Sequence, residues 1–408
     1  MGLYHRQART GIWRVAEVLA QGLHQQPGVA LSLAAPTHLA ESLRWAAHEW
    51  ADSQTVPDFV NDLAGLQRAR FENTLLAPFA PASLPSKLIR QGFYQVNRTM
   101  GYLDGRFAVQ DWPANTVYHS PLFVIPEAVR TARHVQKVQM IHDMIPVFHP
   151  EWFRAGEQTL NQVRSSLQPD MAITVNSQAT KDDFCTYTGF DPARVYVTLL
   201  AASRELFYPE PDEAKRQAVR NRLGVGEGPY LLSVATLEPR KNIAHLIRCF
   251  VRLIESGEIP ADIRLVLAGT RGWHLDAVLP GKTLPVAIAN RVVFTGFVPD
   301  ADLAALYSGA LAFVYPSLYE GFGLPPLEAM QCGLPVITSD VSSLPEVVGD
   351  AALTVSPTDA DALCQALIRV VQSPALRADL GGRALARAAL FSWPTFVEQH
   401  LELYRHIS

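Results

Sequence analysis

The sequence contains only four cysteines, lacks long apolar runs and has no large excess of charge of either sign. Its four cysteines are far apart and show no Cys-x-x-Cys spacing, which argues against disulfides or a zinc site and fits a reducing cytoplasm. No stretch of 18 apolar residues occurs and the N-terminus lacks an apolar signal core, so we expect neither a membrane span nor classical export. With 18% charged residues and a net charge of -4, nucleic acid is not an expected partner.

The chain is long enough for two domains, because 408 residues exceed what one hydrophobic core usually serves. From residue 229 onward, short runs of Val, Ile and Leu alternate with helical patterns. Strands that are apolar on both faces indicate a parallel sheet covered by helices, which is a Rossmann-like domain. The predicted strands are 230–235, 263–268, 291–295, 311–315 and 335–338, and the predicted helices are 242–256, 273–279, 300–308, 324–332 and 359–372.

The first half repeats this alternation less regularly. Its predicted strands are 30–33, 116–119, 136–141, 171–175 and 195–197, with added helices over about 51–112. Two interpretations stay open for a helix predicted over 84–104: it packs on its own domain, or it lies at the surface and contacts a lipid-linked acceptor or a membrane. Its apolar face is formed by Ile89, Phe93, Val96, Met100 and Leu103.

Domain boundaries follow from composition. Prolines and charges without a strand pattern make 206–228 the predicted linker between domains 1–205 and 229–390. Two further helices are predicted before the C-terminus, and the last, within 391–408, is a candidate to pack back on the first domain. Only ten residues precede Gly11, although a strand normally comes before such a turn, so we expect the first strand to be missing, either because the sequence starts downstream of the natural first strand or because the domain lacks it.

Glu320 and Glu328 stand in a setting that gives their spacing chemical meaning. A predicted buried strand ends at Tyr315, a glycine-rich turn follows, and Glu328 projects from the next helix about two turns after the turn. Two other glutamate pairs share the spacing but lack the strand and the glycines. We predict ligand contacts for Glu320 and ribose contacts for Glu328, against the alternative of surface carboxylates beside a helix start. A phosphate or sugar hydroxyl is expected at the backbone amides of Gly321, Phe322, Gly323 and Leu324.

A second candidate site follows the first predicted strand of the same domain, in the run Thr-Leu-Glu-Pro-Arg-Lys-Asn at 236–242. Arg240 and Lys241 are adjacent cations just before a helix, an arrangement suited to a diphosphate. Arg240 would bind two oxygens while Lys241 supplies a compact charge. Thr236 falls at the same strand end, where ligands of such sheets bind. The alternative is a pair of solvated charges at a helix start.

Weaker candidates lie in the first half. His142 ends an apolar strand and is a candidate contact for a sugar hydroxyl, with Asp143 orienting it or binding the acceptor. Gly11 would let the backbone approach a phosphate or acceptor. His119 ends another strand and is a weaker case, and Ser177 is predicted as a helix cap.

Together these motifs resemble the retaining GT-B glycosyltransferases of family GT4 over nearly the whole chain. The sequences of the 236–242 run and of His-Asp-x-x-Pro at 142–146 are similar to motifs of bacterial mannosyltransferases, and of some rhamnosyltransferases, of O-antigen or capsular polysaccharide synthesis. Two positions depart from the family pattern. Ala235 stands where many relatives have arginine, so Arg240 is expected to supply that charge. Trp13 replaces a second loop glycine, which reshapes the acceptor side.

The resemblance implies an α/β protein with two Rossmann-like domains facing across a cleft, the first binding the acceptor and the second the nucleotide sugar. It implies transfer of a hexose, with GDP-mannose the best guess for the donor, to a saccharide or lipid-linked acceptor. Diphosphate contacts are implied at Arg240 and Lys241, sugar contacts at Glu320, and a reaction centre beside His142 and Gly11. No metal or other cofactor is expected, because two cations and helix amides can take the metal's role.

Several alternatives stay open at this point. Rhamnosyl, fucosyl or glucosyl transfer from a dTDP-, GDP- or UDP-sugar would use the same fold. A GT-B nucleotide-sugar epimerase would share the diphosphate site without needing an acceptor, and a sugar-binding receptor would bind without chemistry. The resemblance favours a cytoplasmic location or the inner face of the cytoplasmic membrane, and it leaves a peripheral membrane contact open.

Overall fold

The computed structural model describes residues 11–35, 39–50, 57–80, 83–99, 106–152, 159–270, 272 and 290–408. The chain divides into two compact units. The first is formed by Met1–Gln139, Asp170–Ala172 and Val397–Ser408, and the second by Met140–Pro169 and Ile173–Phe396. The missing first strand, the end of the 84–104 helix and the helix over 273–279 are predictions that fall outside the described residues.

The described residues of the first unit contain a tryptophan-centred core and two parallel strand pairs. Trp45 is fully buried, with Trp13 and Trp50 packed edge-on at ring-centroid distances of 6.0 Å and 4.9 Å. The elements are helices α1 (Gly11–His24), α2 (Leu39–Glu49), α3 (Leu63–Leu76), α4 (Leu84–Thr99) and α5 (Glu127–Arg130), and strands β1 (Ser32–Leu33), β2 (Asp58–Phe59), β3 (Thr116–Ser120) and β4 (Val135–Ile141). Strands β3 and β4 pair in parallel from Thr116–Val135 to Ser120–Gln139.

The second unit begins with α6 (Ile145–Phe148), α7 (Thr159–Ser166), β5 (Ala172–Val175), α8 (Gln178–Thr188), β6 (Val195–Val197) and α9 (Glu213–Arg222). It continues with β7 (Tyr230–Val234), α10 (Ile243–Glu255), β8 (Arg264–Ala268), β9 (Val292–Gly296), α11 (Asp300–Ser308), β10 (Ala312–Tyr315), α12 (Leu324–Gln331), β11 (Val336–Ser339), α13 (Leu344–Val348), β12 (Leu353–Val355), α14 (Ala360–Gln372) and α15 (Pro374–Ala388). Helix α16 (Trp393–Ile407) begins in this unit, and its residues from Val397 onward belong to the first unit.

A six-stranded parallel sheet organises the second unit, in the order β12-β11-β10-β7-β8-β9. Its strands are apolar on both faces, as Leu231, Leu265, Val314 and Ile337 show by complete burial. The strand order reverses between β7 and β10, and ligands of such sheets bind beyond the carboxyl ends of the strands at that reversal. The loops after β7 and β10 are therefore the place to look for a site.

The structure corrects the sequence analysis in three places. The strand predicted over 30–33 is reduced to Ser32–Leu33, and β12 was not predicted because it is short and only its last residue is buried. The predicted linker contains α9, capped by Asp212, whose carboxylate accepts from Ala214 N at 2.9 Å. Val219 is the one buried residue of that helix. The helix therefore lacks the periodic apolar residues by which a sequence indicates an amphipathic helix. No helix among the described residues has the length and apolarity needed to cross a bilayer.

Candidate active site

The loops after β7 and β10 meet where the strand order of the sheet reverses. After β7, a short 3-10 turn over Pro239–Lys241 presents Arg240 and Lys241, and after β10 the chain turns towards Glu320. The loops are joined through the backbone, because the carbonyl oxygen of Arg240 accepts from Leu318 N at 2.8 Å and from Ser317 Oγ at 3.0 Å. Asn242, in the left-handed region with φ 57°, donates its side-chain amide to Pro316 O at 3.1 Å. The two sequence motifs therefore form one site.

The carboxylate of Glu320 is the centre of this site and is buried. Its Oε2 accepts from Arg240 Nη1 at 2.6 Å. Its Oε1 accepts from Lys241 Nζ at 2.6 Å, Ser317 Oγ at 2.7 Å and Tyr315 Oη at 2.8 Å. Three donors exhaust the accepting capacity of Oε1, whereas Oε2 can accept again. Neither Tyr315 nor Ser317 was predicted to take part.

Burial and charge oppose each other at this cluster. Burial alone would raise the pKa of Glu320, but Arg240 and Lys241 lower it to about 2, so the carboxylate is ionised at neutral pH. Burial, together with the charge of Arg240, lowers the pKa of Lys241, and Glu320 opposes that shift. Arg240 is also paired through Nε with Oε1 of Glu238 at 2.5 Å. Two cations and two carboxylates thus balance in a largely buried space.

The loop from Glu320 to Gly323 is held by serines on its carbonyl side. Ser343 Oγ donates to the carbonyl oxygens of Glu320 at 2.9 Å and Phe322 at 2.7 Å, and Ser177 Oγ donates to that of Gly321 at 2.7 Å. In a trans peptide group the C=O and N–H point in opposite directions. The amides of Gly321, Phe322 and Gly323 therefore point away from these serines. Helix α12 begins at Leu324, so its first amides also lack intrahelical partners.

His142 and Asp143 lie against the same loop. A Cβ added to Gly321 would come within 2.4 Å of His142 O and 2.6 Å of Asp143 Cβ. Asp143 Oδ1 accepts from Ile145 N at 2.9 Å. Burial raises the pKa of Asp143, while the charge of Arg240 opposes the rise. The structure thus brings His142 and Asp143 together with the predicted sugar-binding loop.

The remaining predicted residues have separate surroundings. Glu328, on α12, accepts from the buried Tyr307 hydroxyl at 3.2 Å, and Thr236 is exposed just after β7. Gly11, Trp13 and His119 are residues of the first unit. Gly11 is the first residue of α1, and His119 Nδ1 lies 2.5 Å from Tyr404 Oη. The donor-binding role given to Gly11 and the acceptor-side roles given to Trp13 and His119 stay predictions.

Ser177 confirms its predicted role as a helix cap. Its hydroxyl accepts from Thr180 N at 3.0 Å at the start of α8. Its hydrogen bond to the carbonyl oxygen of Gly321 was not predicted. The hydrogen bonds from Gln178 N to the two carboxylate oxygens of Glu346, at 3.0 and 2.8 Å, were not predicted either. These contacts join residues more than 140 positions apart, so no local pattern could have indicated them.

Comparison with known proteins identifies the family of this chain. The family model for glycosyl transferases group 1 matches residues 215–387. The O-antigen chain mannosyltransferase B of Escherichia coli is 35% identical over 308 residues, which is 73% of this chain and 76% of that protein. The chain belongs to the group 1 glycosyltransferases, family GT4. The Serotype-specific mannosyltransferase WbdA of Escherichia coli is 32% identical over 63% of this chain, a match that spans 32% of WbdA.

Solved structures show the fold of this glycosyltransferase. HepE from Anabaena, in complex with UDP, superposes with a TM-score of 0.66 at 18% identity, covering 98% of this chain and 97% of HepE. WaaG, a glycosyltransferase involved in lipopolysaccharide biosynthesis, gives a TM-score of 0.59 at 14% identity over 96% of this chain and 95% of WaaG. The predicted α/β GT-B fold with Rossmann-like sheets is confirmed.

Proposed function

We propose that this glycosyltransferase moves a hexose from a nucleotide diphosphate sugar to a hydroxyl of a saccharide or lipid-linked acceptor, with retention of anomeric configuration, in cell-surface polysaccharide synthesis at the cytoplasmic side. The buried cluster of Arg240, Lys241 and Glu320 at the reversal of the sheet carries the proposal. GDP-mannose is the first choice of donor, since the 35% identical relative is a mannosyltransferase.

The contacts within the cluster indicate which part of the donor each residue would bind. Among the described residues, Arg240 uses Nε for Glu238 and Nη1 for Glu320, so we assign its Nη2 to the diphosphate. Oε2 of Glu320 has accepting capacity left, and we assign it to a sugar hydroxyl. The amides of the 321–324 loop would serve the same sugar or the diphosphate, and Glu328 the ribose.

Charge stabilisation then supplies the catalysis. As the bond between the anomeric carbon and the diphosphate oxygen breaks, negative charge grows on the leaving group, and Arg240 and Lys241 stabilise it more than the ground state. In the same-face route, the acceptor oxygen bonds to the anomeric carbon while its proton passes to a phosphate oxygen. Glu320 positions the sugar and is held too firmly by its four donors to act as a nucleophile.

Thermal unfolding with a panel of nucleotides tests the donor. A ligand that binds only the folded protein stabilises it by about 2.7 kcal/mol at a concentration of 100 times its Kd. We expect GDP and GDP-mannose to raise the Tm and UDP and dTDP to have little effect. A rise with UDP or dTDP alone would replace the donor while leaving the transfer reaction in place.

The reaction itself is tested by nucleotide release and by the anomeric configuration of the product. Release that needs an acceptor, with an α-linked product from GDP-α-mannose, is the expected result. Release without an acceptor, accompanied by an altered free sugar, would contradict transfer. Lys241→Met is expected to abolish release, whereas Lys137→Met, at a lysine also buried but paired with Asp170 at 3.3 Å, is expected to keep it.

A further inference from the structure

A pocket with a volume of about 620 Å³ lies in the second unit, apart from the cluster around Glu320. It is lined by residues of 164–169, at the end of α7 and just after it, and of 187–191, at the end of α8 and just after it. Its volume falls in the range of small-molecule sites, roughly 300–1,000 Å³. No residue of this pocket was predicted from the sequence to bind a ligand.

Aromatic rings give the pocket an apolar surface that solvent can reach. Tyr187 is 40% exposed, and Phe148, whose ring lies edge-on to it at a centroid distance of 5.8 Å, is 39% exposed. Phe190 lines the pocket as well and packs on the buried Phe184 at 5.7 Å. The C–H groups of a sugar ring carry partial positive charge and pack on the negative faces of such rings. The pocket thus offers the surface that one side of a sugar ring requires.

The polar groups of the pocket include donors and acceptors that can bind a ligand. Among the described residues Arg164 has no ion pair, and its guanidinium carbon lies 5.4 Å from the centre of the Tyr187 ring. The amide oxygen of Gln168 is buried without a hydrogen-bond partner in the part of the chain that the structure describes, although such an oxygen normally has one. Asp191 Oδ1 accepts from Ala193 N at 2.9 Å, which leaves its Oδ2 able to accept from a ligand.

This combination of groups fits a neutral chain of sugars. A sugar hydroxyl both donates and accepts, so hydroxyls of one chain can bond to Arg164 and, after a rotation of its amide, to Gln168. The residues that line the pocket include one cation and one carboxylate, Arg164 and Asp191, so the pocket has no net charge to attract a phosphate. A phosphate also only accepts hydrogen bonds, and it would give no donor to either oxygen.

Helix α8 connects the pocket to the loop of the active site. Tyr319, which precedes the buried carboxylate of that site, donates its hydroxyl to the carboxylate of Asp183. Tyr187 lies four residues after Asp183, so it is on the same face of α8 and about 6 Å further along the axis. Phe148 makes a second connection, because its neighbour His149 meets Tyr319 edge-on at 5.8 Å. The pocket therefore begins one helical turn beyond a residue that contacts the active-site loop.

We propose that this pocket binds the saccharide chain on which the enzyme acts, at a place separate from the donor site. Tyr187 and Phe148 stack on a sugar ring of the chain, and Arg164, Gln168 and Asp191 bond to its hydroxyls. The pocket holds a long acceptor near the active-site loop without touching the reacting atoms. The identity of the ligand as a saccharide rests on the proposed function, to which the pocket adds a second contact with the acceptor.

Isothermal titration calorimetry in the absence of any sugar nucleotide tests the pocket, with two neutral linear tetrasaccharides as probes, one of α-linked mannose and one of α-linked glucose. We expect at least one probe to bind, with a Kd that changes less than about twofold between about 0.05 M and 0.5 M salt, because a neutral ligand is not screened. Tyr187→Ala should weaken binding about three- to tenfold, and Gln168→Leu about threefold or more. Tyr187→Phe keeps the ring and should bind within about twofold of the wild type.

A control variant and a parallel transfer assay separate this pocket from the active site. Tyr94→Ala removes a tyrosine of α4 that is 47% exposed, and it should leave the Kd unchanged. Equal Kd values for the wild type and Tyr187→Ala would overturn the proposal, and so would competition by inorganic phosphate.

The absence of binding by either probe would also overturn it, and if the wild type still transfers a hexose to that probe, the proposed function stands. Binding that depends on Tyr187, in a protein that releases no nucleotide with any acceptor, would support the pocket and contradict the proposed function.

Discussion

Gly321 lies so close to the backbone of His142 that any side chain at this position would meet its carbonyl oxygen. A β-carbon built on Gly321 falls 2.4 Å from that oxygen, and real Cβ atoms essentially never come within 3.0 Å of another heavy atom in this way. Position 321 therefore requires glycine for two reasons. The residue packs against the backbone at His142, and its amide has to stay accessible.

Gly321→Ala should consequently damage both stability and catalysis. The atoms it meets belong to the backbone and to Asp143 Cβ, which cannot swing away, so we expect a loss of about 1–3 kcal/mol in unfolding free energy and at least about a 100-fold fall in kcat/KM. Urea unfolding and transfer assays measure the two. Gly382→Ala, in α15 with open space around it, is the control and should be neutral or slightly stabilising. Equal behaviour of both variants would contradict the packing argument.

The buried ion pair of Glu320 and Lys241 should show strong thermodynamic coupling. Glu320→Gln removes the carboxylate from Lys241 and leaves Arg240 with Glu238 alone, and it is expected to cost roughly 3–5 kcal/mol, since an unpaired buried charge is the main penalty. Lys241→Met removes the opposing charge, so the double variant should be more stable than the sum of the single losses by about 1–3 kcal/mol. All three variants should lose activity by about 100-fold or more.

The control cycle uses Lys137, the other lysine that is buried in the part of the chain that the structure describes. Lys137 is 5% exposed but its partner Asp170 is 65% exposed, so Lys137→Met with Asp170→Asn should show a coupling energy within about 0.5 kcal/mol of zero and normal activity. If the Glu320/Lys241 double variant regained activity as well as stability, the cluster would be a structural ion pair and not a ligand site.

Local patterns predicted much of this protein, and tertiary contacts account for what they missed. Five of the six strands of the second unit's large sheet were predicted to within about two residues, because they are continuous apolar runs in a buried parallel sheet, and β12 was missed. Arg240, Lys241 and Glu320 were found as motifs at strand ends, but their mutual contact joins positions 79 and 80 apart. Tyr315 and Ser343 were missed because a buried strand-end tyrosine and a loop serine carry no signal of their own.

Helices that rely on polar or two-sided patterns were the harder part of the fold. Helix α9 buries little beyond Val219, so its apolar period is absent, although the cap at Asp212 was readable. In α4 the interpretation followed Ile89 and Phe93 and overlooked Leu84 and Leu88 on the other side. Helical periodicity in a sequence identifies an apolar face. Where a helix has two such faces, the periodicity does not show which one packs on the rest of the protein.

Ser343 should act on the active site through the loop it holds. Ser343→Ala removes the donor for the carbonyls of Glu320 and Phe322, and we expect a loss of about 1–3 kcal/mol together with a raised KM for the nucleotide sugar as the loop amides turn. Among the described residues, the buried hydroxyl of Ser339 has no partner, so Ser339→Ala is a matched control expected to be neutral. An unchanged KM in Ser343→Ala would show that the serine only stabilises the fold.

Asp143 should make the protein less stable as the pH rises. Burial raises its pKa, so the folded state holds this proton more tightly than the unfolded state, and stability is lost as the pH increases through the folded pKa. Asp143→Asn mimics the protonated form and keeps the acceptor for Ile145 N. Its Tm should exceed that of the wild type at pH 8 and approach it below about pH 4. A Tm gain that does not vary with pH would point to packing instead.

Chelation should leave the transfer rate unchanged, because the residues that imitate a metal motif already have structural partners. The chain contains two Asp-x-Asp runs, Asp300-Ala-Asp302 and Asp359-Ala-Asp361. Asp302 pairs with Arg222, Asp359 caps α14 by accepting from Ala362 N at 2.9 Å, and Asp361 pairs with Arg252 at 2.6 Å.

The leaving group's charge is instead met by Arg240 and Lys241, so a rate in EDTA within about twofold of the untreated rate is expected, measured as acceptor-dependent nucleotide release. Asp302→Asn and Asp361→Asn should alter the Tm more than the rate, since each lies at a helix start and not at the strand ends of β7 and β10. A rate that falls in EDTA and returns with Mg²⁺ or Mn²⁺ would show that the two cations do not suffice, and the assignment of Arg240 and Lys241 to the diphosphate would have to include a metal bridge.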